Sequence, residues 1–202
     1  MNADIVIPDN NENEFIDMAD RLGYKKIYFL YDFEKKSKAE QKNRSAGRNI
    51  AIGIGFLVNQ KNINTAHKYS KLLVAQSSEN DRSLIEGKKI KIIYGFEGTS
   101  KRDYIHQRAS GLNHTICSLA SKNNVLIGFC CRNLAGDKIK NATLLGRTMQ
   151  NIKLCQRYKT KTIISSFARD PFMMRAPYDA ANLFSVLGMG RKNINDSMDF
   201  YF

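Results

Sequence analysis

Short apolar runs rich in β-branched residues recur along the chain, and most are followed by a segment with helical spacing. The candidate strands are Asp4–Ile7, Lys26–Tyr31, Ile50–Val58, Leu72–Gln76, Ile90–Tyr94, Val125–Cys130 and Thr162–Ser165. The candidate helices are Glu12–Leu22, Ile63–Tyr69, Asp81–Glu86, Leu112–Lys122, Asp137–Tyr158, Tyr178–Leu187 and a short closing helix near Asn195–Phe200. Continuous apolar runs are typical of buried parallel strands, so this alternation predicts an α/β fold.

The number and even spacing of these units favour a TIM-like α/β barrel over a doubly wound open sheet. A chain of 202 residues is short for eight units, so we expect a small or incomplete barrel. No linker or internal repeat divides the sequence, and residues 1–202 are expected to form a single domain. The stretch Glu34–Arg48 is strongly positive and almost without apolar residues, which predicts a mobile basic loop at 34–48. RNA contact and plain solvation are both compatible with that loop.

The long candidate helix Asp137–Tyr158 has a clear apolar face, because apolar residues recur every three or four positions. Its other faces carry Lys140, Arg147, Lys153 and Arg157. This pattern predicts one buried face and a basic remainder.

The candidate helix Leu112–Lys122 begins at a polar segment. Ser110 is predicted to cap it, with Gly111 following. At about 100° per residue, His114 lies opposite the apolar face and should point away from the core. A lone helical histidine is typical of a surface or capping residue, but Arg108 nearby and the free N–H groups of the helix start also suit a phosphate.

The net charge is +13, and it is unevenly distributed. Residues 1–34 contain eight acidic and three basic residues, net −5, whereas the remainder carries 29 basic and 11 acidic residues, net +18. Such an excess attracts polyanions, because neutralised phosphates release condensed counterions. The charge therefore predicts a nucleic-acid partner, and the alternative is a basic protein with nothing bound.

Basic residues are concentrated directly after several predicted strands. These are Lys35, Lys36, Lys38, Lys42 and Arg44 after the second strand, Lys101, Arg102 and Arg108 after Ile90–Tyr94, Arg132 after Val125–Cys130, and Arg169 and Arg175 after Thr162–Ser165. Because the C-terminal ends of parallel strands share one end of a barrel, we expect these clusters to converge on one face. Aromatic residues among the bases of residues 94–114 suit stacking on unpaired RNA bases.

The sequence lacks the spacing motifs of metal and nucleophile sites. Its three histidines, His67, His106 and His114, are not at ligand-like spacing. The run Gly53-Ile54-Gly55 lacks the third glycine of a dinucleotide motif and indicates strand packing. Asp4 is a weak metal candidate and is more typical of a cap or a salt-bridge residue. We therefore predict no catalytic residue and no metal ligand in this chain.

The four cysteines, Cys117, Cys130, Cys131 and Cys155, include no Cys-x-x-Cys pair. The spacing therefore indicates neither a zinc ribbon nor a redox pair. The adjacent Cys130 and Cys131 end an apolar run and indicate buried thiols in a reducing compartment. The N-terminus lacks the features of a signal peptide, and no apolar run is long enough to span a membrane. We expect a cytoplasmic protein without membrane association.

Three blocks in the second half of the chain resemble a known family. They are Ser110–Phe129, which begins SGLNH, Leu144–Ser165, which begins LLGRTMQNIKLCQRY, and Arg175–Met189, which contains RAPYD and LGM. Together with the preceding stretch IYGFEGTSKRDYIHQR, these blocks cover about half the chain. In their order and spacing they resemble protein component 3 of archaeal ribonuclease P. This is the thirty-kilodalton RNase P subunit family of archaea and eukaryotes.

The resemblance implies a TIM-like barrel related to the polymerase-and-histidinol-phosphatase barrels. It also implies a non-catalytic subunit of the endoribonuclease that removes 5′ leaders from precursor tRNA. In that family the RNA carries the metal-dependent hydrolysis, so Mg²⁺ is expected at the RNA component and no cofactor on this chain. The implied partners are ribonuclease P RNA, precursor tRNA indirectly, and a small ferredoxin-like protein subunit in a heterotetramer.

Family positions linked to function match this sequence at Arg108, His114, Lys122 and Arg175, and Lys159 aligns with a fifth. The chain departs at Tyr178, where an arginine is common, and in the loop 34–48. The departure at Tyr178 removes one expected phosphate contact. With the strand-end clusters, the predicted RNA-binding residues are Arg102, Arg108, His114, Lys122, Arg132, Lys159, Arg169 and Arg175.

Two other functions are compatible with the sequence. A free-standing metal-dependent phosphoesterase or nuclease is suggested by the barrel and by His114. A protein-interaction module is suggested by the charge, which could bind an acidic partner, and by the acidic first helix.

Overall fold

The computed structural model describes residues 2–35, 50–99, 102–103, 105–106, 108–131 and 138–202. The strands within these residues are β1 (Ala3–Val6), β2 (Lys26–Asp32), β3 (Ala51–Leu57), β4 (Leu73–Gln76), β5 (Ile92–Tyr94), β6 (Leu126–Cys130) and β7 (Thr162–Ser165). The helices are α1 (Glu12–Arg21), α2 (Ile63–Ala66), α3 (Asp81–Glu86), α4 (His114–Asn123), α5 (Lys138–Arg157), α6 (Pro177–Val186) and α7 (Arg191–Met198). The predicted basic loop 34–48 lies outside the described residues apart from Glu34 and Lys35, and so does Arg132.

The strands form one seven-stranded parallel sheet in the order in which they occur along the chain. The first and last strands meet, because the Ile7 N–H donates to the Ala168 carbonyl at 2.7 Å and the Phe167 N–H donates to the Ile5 carbonyl at 2.8 Å. A parallel bridge between Val6 and Ala168 completes this seam. The sheet is therefore a nearly closed barrel, and the predicted TIM-like α/β fold is confirmed.

Two apolar layers follow from the alternation of side chains along each strand. One layer fills the barrel and includes Ile5, Leu30 and Ile163, whereas the other lies between the strands and the helices. Gly53 faces into the barrel, where an added Cβ would collide with the ring of Tyr28. The prediction that the Gly53-Ile54-Gly55 run serves strand packing is confirmed.

The residues after α7 cover the N-terminal end of the barrel. Phe200 stacks on Tyr28 with ring centroids 5.8 Å apart, and Phe202 meets the same ring edge-on at 5.4 Å. The Phe202 N–H also donates to the Tyr28 hydroxyl at 2.9 Å. Aromatic side chains from the chain end and from β2 therefore close this end of the interior.

Asp4 lies at the seam between β1 and β7 and is completely buried. Its carboxylate accepts hydrogen bonds from the hydroxyls of Ser165 and Ser166 and from the Ser166 N–H, the last two at 2.7 Å. Burial raises the pKa of Asp4 above its ordinary value, and these hydrogen bonds oppose that rise. Its described partners are hydroxyls and backbone N–H groups, so the expected cap or salt-bridge role is replaced by a link between the first and last strands.

The predicted strands and helices are all present, with ends shifted by a few residues. The cap of α4 was predicted wrongly. Asn113, not Ser110, caps this helix, because the Asn113 side chain accepts from the Ile116 N–H at 2.9 Å. All four cysteines are buried, which confirms the prediction for Cys130 and Cys131. Within the described ranges, no helix combines the length and apolar character needed to cross a membrane.

Candidate nucleic-acid interface

The long segment between β5 and α4 is held against α5 by buried polar side chains. Arg147 of α5 donates to the Asp103 carboxylate at 2.7 Å and to the Glu97 carbonyl at 2.8 Å. Asn151, one turn further along α5, donates to the Glu97 carboxylate at 3.2 Å and accepts from the Ser110 hydroxyl at 2.5 Å. We call these five residues the α5 latch. It fixes both ends of the segment that carries Arg108.

Arg147 corrects the sequence prediction, which placed it on an outward face of the helix. Its side chain is only 2% exposed. The helical spacing correctly predicted a polar face of α5 that includes Arg147. Part of that face is covered by the β5–α4 segment and is not exposed to water. A side-chain pattern within one helix cannot indicate that a distant loop will fold over it.

The acidic members of the latch have shifted pKa values in opposite directions. Burial raises the pKa of Glu97, and the hydrogen bond from Asn151 opposes this rise only in part. Desolvation also acts to raise the pKa of Asp103, but hydrogen bonds from Arg147 and from the Ala109 N–H outweigh it and lower that pKa. Asp103 is therefore the charged partner of Arg147 at neutral pH.

Arg108 lies on the outer surface of α5, where its guanidinium packs over Gly146. An added Cβ at Gly146 would collide with that guanidinium, so the glycine makes room for it. The guanidinium is also 3.5 Å from the Asp103 carboxylate, and its side chain remains about half exposed. The backbone carbonyl of Arg108 accepts from the Gln150 side chain at 3.4 Å. Arg108 is thus attached to α5 while its cation faces solvent.

A groove of about 470 Å³ runs from Arg108 along the outer face of α5. Its lining includes three basic side chains, those of Arg108, Lys153 and Arg157. The sequence prediction placed Lys153 and Arg157 on polar faces of the helix but did not name them as site residues. Their spacing of four residues puts them on one side of a helix, which was the available signal.

His114 is the first residue of α4 and is exposed, as predicted. Its ring centroid lies 6.5 Å from that of Tyr158, and the Arg157 guanidinium lies 5.9 Å from the same tyrosine ring. His114 and Tyr158 therefore lie beside the basic groove. Together they add aromatic surface suitable for stacking on an unpaired base.

Arg102, Arg169 and Arg175 follow the C-terminal ends of strands, as the sequence predicted, and all three are exposed. Arg169 lines a different cavity, about 400 Å³ in volume, at the mouth of the barrel, whose lining also includes Asp32 and Glu34. This cavity shares no lining residue with the groove on α5. The predicted convergence is therefore only partial, because the strand-end bases share one end of the barrel but not one pocket.

Lys122 and Lys159 lie towards the opposite end of the barrel. Lys122 is in the last turn of α4, and Lys159 follows α5, where its carbonyl accepts from the Ser121 hydroxyl at 3.3 Å. Lys159 and Lys161 line a cavity of about 520 Å³ at the start of β6 and β7. The predicted RNA-binding positions that the structure describes are consequently distributed over both ends of the barrel.

Within the described part of the chain, no three His, Cys, Asp or Glu side chains lie close enough together to hold a metal ion. The groove instead presents exposed cations, two from α5 and one from the β5–α4 segment packed on it. Arginine and lysine in this arrangement suit phosphate oxygens, which arginine can bind with two parallel N–H groups.

Two solved structures share the fold. The cryo-EM structure of archaeal ribonuclease P with mature tRNA contains a chain that superposes with a TM-score of 0.73 at 18% identity, covering 97% of this chain and 86% of that one. A crystal structure of an uncharacterized protein superposes with a TM-score of 0.59 at 8% identity, covering 98% of this chain and 72% of that one. Both place the chain among α/β barrels of this type.

Proteins with similar sequences align with a larger fraction of this chain than of their own, longer chains. Ribonuclease P protein component 3 of Methanococcus vannielii is 27% identical over 68% of this chain and 60% of that protein, so this chain spans less than two thirds of it. The proteins of the same name from Methanothermobacter thermautotrophicus and Methanosarcina barkeri are 21% and 25% identical, over 89% and 91% of this chain and 77% and 78% of theirs. The sequence pattern of the family described as RNase P subunit p30 matches residues 102–200, which contain most of the α5 latch and the whole basic groove. Over residues 102–200 the chain is therefore similar to the RNase P subunit p30 family.

Proposed function

We propose that this chain is an RNA-binding protein subunit of ribonuclease P, which supports the catalytic RNA in removing 5′ leaders from precursor tRNA. The observation that carries the proposal is the basic groove on α5. There the latch fixes Arg108 beside Lys153 and Arg157 with their cations towards solvent. Such an arrangement neutralises phosphates without any bond-making role for the protein.

The hydrolytic chemistry is assigned to the RNA and its Mg²⁺ ions, and this chain acts by holding RNA. Its proposed protein partner is a small ferredoxin-like subunit, with which it forms a heterotetramer in the cytoplasm. The relative that is part of archaeal ribonuclease P with mature tRNA supports this assignment by its fold. Contact with precursor tRNA is proposed to be indirect, through the RNA.

Reconstitution tests the proposal directly. Precursor-tRNA cleavage is measured with the ribonuclease P RNA of the same genome, with and without this chain and the small subunit. The expected result is faster cleavage when both proteins are present. Unchanged cleavage by the RNA, or hydrolysis by the purified protein with divalent metal and no RNA, would contradict the assignment.

Arg108→Gln and Gly146→Ala test whether the groove is the contact surface. Arg108→Gln removes one phosphate contact, so RNA affinity should fall about tenfold and the salt dependence should flatten by about one unit of log–log slope. Gly146→Ala keeps every charge but displaces the Arg108 guanidinium, and should also weaken RNA binding. Alanine stabilises a helix by up to about 1 kcal/mol relative to glycine, so the substitution is not expected to destabilise α5 itself.

The matched control is Arg82→Gln, which removes an exposed cation on α3 outside the groove. Its RNA affinity should stay close to that of the wild type. If Arg82→Gln and Arg108→Gln weaken binding equally, the loss reflects net charge and the groove is not the site.

A further inference from the structure

Within the part of the chain that the structure describes, the connections that lead from a helix into the next strand contain lysine as their only charged residue type. In the described chain these are residues 22–25, 67–72, 87–91, 124–125 and 158–161, and they contain no aspartate, glutamate or arginine. Their eight lysines are Lys25, Lys68, Lys71, Lys88, Lys89, Lys91, Lys159 and Lys161. We call this set the lysine rim. Since helix-to-strand connections of a parallel barrel share one end, the rim surrounds the N-terminal end of the barrel.

The rim amines are open to solvent. Seven of the eight residues are exposed, and Lys89 is half-buried, with its amine donating to the Asn64 side chain at 2.5 Å. The ion pairs formed within the described residues are Arg82–Glu86, Arg108–Asp103 and Arg147–Asp103, so none involves the rim. Asp196 of α7 lines the same cavity as Lys159 and Lys161 and offsets part of this charge. The remaining like charges repel one another, and a polyanion would relieve that repulsion.

Two rim lysines occupy backbone conformations that lysine disfavours. Lys88 has φ of 56° and Lys159 has φ of 51°, both in the left-handed region. A side chain with a Cβ costs about 1 kcal/mol or more there, and glycine or asparagine is the usual occupant. A cation is thus placed at the tip of each turn at the expense of local stability.

The rim is continuous with the basic groove. Arg157 ends α5 and lines the groove, and Lys159 follows two residues later on the rim. Tyr201 adds an aromatic ring to the same end, 54% exposed, with the Lys26 amine 4.9 Å from its centroid. Lysines with an exposed aromatic ring favour an RNA backbone over an acidic protein surface.

We propose that the lysine rim is a second RNA-binding surface, which takes the sugar–phosphate backbone of RNA that continues from the groove on α5. The proposal rests on the proposed function and extends it to the opposite end of the barrel. Lysine acts as a point charge on phosphates and does not read bases with two hydrogen bonds. Binding at the rim is therefore sequence-independent and strongly salt-dependent.

Two double variants with equal charge change test the rim. Lys88→Gln/Lys91→Gln removes two exposed rim cations, whereas Lys61→Gln/Arg82→Gln removes two exposed cations at the C-terminal end. Affinity for the ribonuclease P RNA of the same genome is measured across salt concentrations. The rim variant should bind about tenfold more weakly and lower the log–log salt slope by about 2, and the control should match the wild type.

A tethered cleavage reagent locates the RNA independently. All four native cysteines are buried, so Lys91→Cys and Lys61→Cys each offer one exposed thiol for an iron–EDTA label that releases hydroxyl radicals. The Lys91 label should cleave the bound RNA at defined nucleotides, and the Lys61 label should cleave it weakly.

Equal salt slopes in the two double variants, or no cleavage from the Lys91 label, would overturn the rim proposal. If Arg108→Gln still weakens binding in that case, the proposed function stands without the rim. If instead the rim variant binds RNA normally but loses polyglutamate, the surface fits an acidic protein and the RNA assignment is wrong. If the wild-type protein neither binds this RNA nor stimulates cleavage, both proposals fail together.

Discussion

The two ends of the barrel differ in how their charged residues are used. The described helix-to-strand connections contain eight lysines and no acidic residue, whereas the described strand-to-helix segments contain six acidic and six basic residues. The acidic residues of the described strand-to-helix segments are Asp9, Glu34, Glu79, Glu97, Asp103 and Asp170. Among the described residues, opposite charges balance in these segments, whereas the helix-to-strand connections carry only positive charge.

This difference matters because α/β barrels usually build their sites at the C-terminal end. In this protein the polar residues there include the α5 latch, in which Arg147 binds Asp103 and the Glu97 carbonyl to hold a loop in place. The N-terminal lysines form no comparable contacts among the described residues. Among the described residues, part of the charge at the C-terminal end therefore stabilises the fold through the latch, whereas the rim lysines form no ion pair there and remain available to a ligand.

The largest expected effect is a difference between the two ends in how much a substitution lowers the free energy of unfolding. Arg147→Met removes a buried cation and leaves its partners without their hydrogen bonds, so the free energy of unfolding should fall by about 3 kcal/mol. Lys91→Gln, at the other end, should change it by less than about 0.5 kcal/mol. Urea unfolding of both variants measures the difference. Similar losses would show that the two ends do not differ in this way.

The second expected effect is a dependence of stability on pH at acidic values. The pKa of Asp103 is lowered in the folded protein, so its contribution to stability is complete above its unfolded value of about 4 and is lost as pH falls through the lower folded value. The raised pKa values of Asp4 and Glu97 act in the opposite direction, because these groups take up protons more readily when folded.

Comparison of the wild type with Asp103→Asn isolates the Asp103 contribution. The wild type should be the more stable protein at pH 7, and the difference should shrink as pH falls below about 4 and through the lower folded-state pKa of Asp103. Unfolding free energies measured across this range decide the point. A difference that is constant with pH would mean that the Asp103 charge does not stabilise the latch.

The smallest expected effect is at the start of α4, beside His114. Asn113→Ala removes the side chain that accepts from the Ile116 N–H and should cost about 1 kcal/mol. Ser118→Ala, at an exposed position on the same helix, is the matched control and should leave stability nearly unchanged. Ser110→Ala tests the assignment of Ser110 to the latch and of Asn113 to the helix cap. If Ser110→Ala destabilises helix α4 in the same way as Asn113→Ala, that assignment is wrong.

The sequence was sufficient to predict the strands, because buried parallel strands require continuous apolar runs such as Ile27–Leu30 and these are visible locally. The cap of α4 was missed, because Ser110 and Asn113 are both good capping residues. Ser110 is drawn away by Asn151, a partner 41 positions distant in the chain. Contacts at that separation leave no local pattern.

The candidate site was predictable in part. The prediction that His114 points away from the core is confirmed, and the candidate Arg108 is exposed as well. Arg147 was expected at the surface and is buried. The lysine rim was not recognised, because its members are scattered over connections that become neighbours only when the barrel closes. Whether the predicted positions bind RNA remains a prediction for the variants described above.

The seam at Asp4 has a consequence for how the chain folds during synthesis. Asp4 and Ser165 are 161 positions apart, and the backbone bonds between Ile5 and Phe167 span a similar length. The ribosome must therefore release nearly the whole barrel before β1 can meet β7. Until then β1 keeps one unpaired edge, and an open edge can pair with another chain. We expect barrel closure to be the last and slowest event of folding, because contacts between distant residues form late.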